Sequence, residues 1–126
     1  MSKVFLTGAT GVLGRRVVPL LADAGHAVTA VARTDDKSAQ VAAAGAAPLA
    51  VDLFDADAVR HAIDGHDAVV HLATNIPTGA STARKRAWVT NDRLRSEAAN
   101  NLGRAAIDAG AATYVQESIT FPYTDG

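Results

Sequence analysis

Residues 7–16 read "TGATGVLGRR", with Gly8, Gly11 and Gly14 spaced three apart and Thr7 in front of them. The run before the loop, "KVFLT" (3–7), has the β-branched and aromatic character of a short strand. Behind the loop, Val17, Val18, Leu20, Leu21 and Ala24 recur at helical spacing until Gly25. The glycines therefore stand where a strand passes into a helix. Pro19 lies inside that helix and is expected to bend it, because it lacks a backbone donor.

The alternation continues outward from the loop. "AVTAVA" (27–32) reads as a second apolar strand and "KSAQVAAAG" (37–45) as a short helix. A third strand is expected over 47–53, "APLAVDL". The helix "DADAVRHAIDG" (55–65) follows, with Asp55 as its N-cap and Gly65 just past its end. A fourth strand, "DAVVHLA" (67–73), precedes a loop and a long helical stretch over 84–110. Its face through Ala98, Leu102, Ala105, Ala106 and Ala109 keeps helical spacing. A fifth strand is expected over 112–118.

Strands that are apolar on nearly every residue, alternating with helices, imply a parallel sheet covered on both faces. Right-handed crossovers then give one doubly wound α/β domain over 1–126, a Rossmann fold of about five strands in the order 3-2-1-4-5. A ligand is expected at the switch point between strands 1 and 4.

A glycine loop opening a helix suits a pyrophosphate. Glycine admits close backbone approach, and the helix start offers unpaired N–H groups and a positive dipole end. A tight turn without a ligand is the competing reading. The Walker pattern is excluded, since Arg15 and not Lys follows Gly14. The cofactor-selecting position lies at the end of the second strand, where the chain reads "AVARTDDK" (30–37). Arg33, with Lys37 behind it, suits the 2′-phosphate of NADP. Asp35 and Asp36 leave a ribose contact of the NAD type open, and a solvated Arg33 is the plainer alternative.

Composition sets bounds. The chain has 126 residues, formal net charge −1 and no cysteine. Nothing favours nucleic acid or an anionic membrane as partner, and disulfides and thiolate metal sites are excluded. No apolar run reaches spanning length, and a cytoplasmic location is expected. His26, His61, His66 and His71 show no metal-binding spacing, so no metal is expected and each reads as structural or solvated. Trp88 and Phe121 read as packing residues, and "RKR" (84–86) as a solvated helix start.

Six segments in order resemble the extended and atypical short-chain dehydrogenase/reductases, the NAD(P)-dependent epimerases and dehydratases. They are "TGATGVLG", "GHAVTAVAR", "VDLFD", "HDAVVHLAT", "NDRLRSEAANNLGRAAIDAG" and "YVQESITFPY", and together they run through essentially the whole chain. The resemblance implies cofactor contacts from Thr7, Gly8, Thr10, Gly11, Val12, Leu13 and Gly14. It implies an adenine contact at Asp52 beside Leu53, and a cofactor lining from Leu72, Ala73 and Thr74. Asn91 matches a structurally important Asn, and Ser118 (Thr120 as alternative) matches the catalytic Ser or Thr.

Two departures stand out. Ala98 and Ala99 replace a common Gly-Thr, a modest packing change. More seriously, the family's Tyr-x-x-x-Lys pair is absent: the lysines are Lys3, Lys37 and Lys85, and Ser118 stands four residues after Tyr114. In the family that Tyr is the general acid or base and the Lys lowers its pKa, so turnover is not expected of these residues alone. The expectation is an N-terminal portion of a longer enzyme or a natural truncation. A non-catalytic nucleotide-sensing or protein-interaction module is the alternative. Strand 5 is expected to be an uncovered edge that self-associates.

Overall fold

The computed structural model describes residues 2–72 and 94–116. Strands β1 (Lys3–Thr7), β2 (Ala27–Val31), β3 (Ala47–Leu49), β4 (Ala68–His71) and β5 (Thr113–Gln116) alternate with helices α1 (Gly14–Asp23), α2 (Asp35–Ala43), α3 (Ala56–Ile63) and α4 (Ala99–Asp108). They form one five-stranded sheet in the order β3-β2-β1-β4-β5. Every pairing is parallel, so all strands point their C-terminal ends to the same edge. The doubly wound reading and its strand order hold.

The sheet is buried on both faces, as its continuous apolar strands require. Val4 and Leu6 of β1 pack with Val18 of α1 and Val41 of α2 on one face. Phe5 turns the other way and packs with Val69, with Val59 and Ile63 of α3, and with Leu102 and Ala106 of α4. Successive β1 residues thus serve opposite cores, which is the period of two made visible.

The structure corrects several boundaries. The third strand stops at Leu49 instead of continuing to 53. Among the described residues it is an edge strand paired only with β2, and β2 ends at Val31. Past the Ala32 N–H bond to the Leu49 carbonyl no ladder partner continues among the described residues. The chain then turns, with Asp52 Oδ1 accepting from the Phe54 N–H at 2.9 Å. Val51 and Leu53 stay buried without being strand, packed in the α3–α4 core.

The second helix begins at Asp35, two residues earlier than expected, because Thr34 caps it: its Oγ1 accepts from the Lys37 N–H at 3.2 Å. Asp35 and Asp36 fill its first turn, where carboxylates complement the helix dipole. The first helix runs unbroken through Pro19. Asp55 caps α3 as expected, accepting from the Asp57 and Ala58 N–H groups. The long helix is not uniform: Leu94–Ala98 form a π-helical turn before α4. Gly110, at φ 72°, closes α4, and the Ala111 N–H returns to the Ala106 carbonyl.

Candidate dinucleotide site

The three glycines of the β1–α1 turn do three different jobs. Gly8 has φ 79°, a backbone state that only glycine enters freely, and its carbonyl accepts the Gly11 N–H at 3.1 Å. Gly14 is buried against the turn; a Cβ there would lie 1.9 Å from the Gly8 carbonyl oxygen and 2.7 Å from Ala9 Cα. Gly14 is therefore needed for the helix to pack on its own loop. Gly11 is exposed and keeps an ordinary φ, and a Cβ there would meet only the Gly8 oxygen at 3.4 Å. Nothing among the described residues demands glycine at 11.

The start of α1 also differs from those of α2 and α3. Its N-cap Leu13 makes no side-chain cap bond, and its first turn has no acidic residue. Arg15 and Arg16 stand there instead, with Arg15 Nε 3.4 Å from the Gly11 carbonyl oxygen. Cations at a positive dipole end are unfavourable unless an anion joins them. Val12 and Leu13 are 74% and 42% exposed beside this helix start.

The parallel sheet carries the other expected residues to the same edge. Arg33 lies two residues past β2 and Lys37 in the first turn of α2; both are exposed and form no ion pair among the described residues. Thr10 lines a groove of about 380 Å³ with Arg15, Val18 and Gln40. Asp52 follows β3 and is exposed, but one carboxylate oxygen holds its own turn. The Leu53 side chain is 8% exposed and belongs to the core. Leu72 follows β4, and its N–H donates to both the carbonyl and the Oγ1 of Thr7, each at 3.1 Å. Ala73, Thr74, Trp88, Asn91, Ser118, Thr120 and Phe121, with the "RKR" cluster at 84–86, lie outside the described residues.

Two features escape sequence reasoning. Thr7 is fully buried and its Oγ1 lies 2.7 Å from His71 Nδ1, a polar pair set by the β1–β4 register. Asn101 of α4 donates from Nδ2 to the Leu53 carbonyl at 3.0 Å and ties down the turn after β3. No local pattern announces either contact, since the partners are 64 and 48 residues apart. Two other histidines are structural, as expected. His26 Nδ1 accepts the Ser2 N–H, and His66 sits between Thr29 Oγ1 and the Ile63 carbonyl, edge-on to Phe5. Among the described residues no group of three His, Cys, Asp or Glu is placed to hold a metal, and no helix is long and apolar enough to cross a membrane.

Comparison with known proteins agrees with this geometry. The NAD(P)H-binding family matches residues 8–123. The sterol-4-alpha-carboxylate 3-dehydrogenase, decarboxylating, of Dictyostelium discoideum is 32% identical over 85 residues, covering 68% of this chain and 26% of that protein. The photosystem II assembly factor Ycf39 of Synechocystis is 31% identical over 117 residues, covering 93% of this chain and 33% of its own length. The chain thus spans about a quarter to a third of these relatives. A crystal structure of UDP-glucose-4-epimerase from Stenotrophomonas maltophila with bound NAD superposes with a TM-score of 0.76 at 20% identity, over 94% of this chain and 37% of that one. This chain belongs to the NAD(P)H-binding family, and it has the doubly wound Rossmann fold.

Proposed function

We propose that the 126 residues form one domain that binds NADP(H) at the C-terminal edge of the sheet, with the pyrophosphate on the glycine turn. The observation that carries this reading is the start of α1. It has no capping side chain, no carboxylate and two arginines, beside a Gly11 that the described residues do not require. A bound pyrophosphate supplies both the missing anion and the reason for that glycine. Thr7, Gly8, Thr10, Val12, Leu13 and Gly14 then shape the cradle. Asp52 and Leu53 border the adenine end, and Leu72 belongs to the floor.

NADP is favoured over NAD by Arg33 and Lys37, two exposed cations without an ion pair among the described residues. The rival carboxylates, Asp35 and Asp36, already have a role in the first turn of α2. Calorimetric titration tests the preference: NADPH should bind at least about tenfold more tightly than NADH, and Arg33→Ala should abolish the difference. Equal affinities in the unmodified chain would overturn it.

The 126 residues contain no Tyr-x-x-x-Lys, so on their own they bind cofactor without turning substrate over, with Ser118, or Thr120 in its place, as the candidate catalytic hydroxyl. A second reading, a non-catalytic nucleotide-sensing or interaction module, is favoured by the likeness to an assembly factor across 93% of the chain. Both readings predict no cofactor oxidation by these residues alone, so turnover with candidate sugar-nucleotide or sterol substrates would contradict both.

A further inference from the structure

We infer that His71 is a positioning residue for the dinucleotide site, acting through the Thr7 hydroxyl. The inference rests on the dinucleotide reading above and adds to it a residue that touches no cofactor.

β1 and β4 pair through their backbones, with Thr7 opposite His71 as the last aligned rung. Two residues earlier on each strand stand Phe5 and Val69, and both join the hydrophobic core against α3 and α4. An apolar pair at 7 and 71 would extend that core with nothing to satisfy. Instead a hydroxyl that is 0% exposed and an imidazole that is 3% exposed face each other at 2.7 Å. Burying two polar groups costs stability unless they bond to each other or to a third group. Here the third group is the backbone of the site: Thr7 Oγ1 also accepts the Leu72 N–H.

The place of this bond gives it its role. The Leu72 N–H is split between the Thr7 carbonyl and the Thr7 hydroxyl, so it is where the β1–β4 ladder ends. The next residue on the β1 side is Gly8, whose carbonyl receives the Gly11 N–H and abuts Gly14. The Thr7 side chain therefore fixes where the two strands part and where the glycine turn starts. The 2.7 Å contact with the His71 ring holds the Thr7 side chain in the rotamer that reaches the Leu72 N–H. Without the ring that contact is lost, the bond from the Leu72 N–H to the Thr7 hydroxyl is weakened, and the turn and floor are less firmly anchored to each other.

Calorimetry with NADPH and NADH on the whole chain tests this, with unfolding temperatures measured on the same samples. Thr7→Val removes the hydroxyl at nearly constant shape, and Thr7→Ser keeps it. His71→Asn keeps a polar atom at the Nδ1 position, and His71→Gln moves it to the Nε2 position. T7V and H71Q should bind about tenfold more weakly, while T7S and H71N stay within about threefold of the parent. In the unmodified chain, saturation with dinucleotide should shift the His71 ring ¹⁵N resonances, a readout that needs no variant to fold. Variants that lose stability but keep full affinity, or ring resonances unmoved at saturation, would overturn the positioning role. A parent chain that binds neither dinucleotide would overturn the reading beneath it, and is recognised before any variant is compared.

Discussion

Gly11 and Gly14 look alike in the motif and behave oppositely in the structure. Gly14→Ala would press a Cβ to 1.9 Å from the Gly8 carbonyl oxygen, a backbone atom that cannot swing aside. It should destabilise the chain by about 3 kcal/mol, at the upper end of overpacking costs, as read from chemical denaturation. Gly11→Ala meets nothing closer than 3.4 Å and should leave stability within about 0.5 kcal/mol while weakening dinucleotide binding. Tyr114 gives a residue-scale prediction in pH. Burial pushes its phenol above the usual value of 10.0, its hydroxyl being near the Ala99 carbonyl and Gln116 Oε1. The folded state thus favours the neutral phenol. That contribution is fully present below pH 10 and is lost as pH rises through the raised folded-state value. Ultraviolet titration should show one phenol ionising above the ordinary tyrosine range, and Tyr114→Phe should remove that step and reduce the alkaline loss of stability. The motif glycines were legible because they sit together in the chain. The Thr7–His71 pair was not, because strand register decides it across 64 residues.

At the scale of elements, helix starts were read best where a side chain marks them. Asp55 announced α3, and Asp55→Ala should cost about 1 kcal/mol by losing the bonds from the Asp57 and Ala58 N–H groups. Thr34 announced α2 just as plainly, but "RTDDK" read as a cofactor-selecting loop, so the helix was begun too late. The end of β3 was misplaced for a different reason. Val51 and Leu53 continue the apolar run, yet they are buried by packing after the ladder has ended. Hydrophobicity reports burial, and only a neighbouring strand reports pairing. The π-helical turn at Leu94–Ala98 had no signal in the residue pattern, since Ala98 and Leu102 are compatible with either helical form.

At the scale of the whole molecule, the strand order followed from alternation and handedness, and with it the edge to which the described site residues are carried. β5 pairs only with β4 among the described residues, and Val115 and Ile107 are exposed near it. We expect concentration-dependent self-association in sedimentation, reduced by Val115→Lys on that edge; a monomer at all concentrations would contradict this. The central claim is that the glycine turn is a dinucleotide cradle. Its most direct test is calorimetric titration of NADPH into the parent chain and into Gly11→Asp, with unfolding curves for both. The account predicts saturable binding by the parent and at least about a tenfold loss in the variant at nearly unchanged stability, because the carboxylate displaces the pyrophosphate and strains nothing inside the chain. No binding by the parent, or equal binding by the variant, would contradict it.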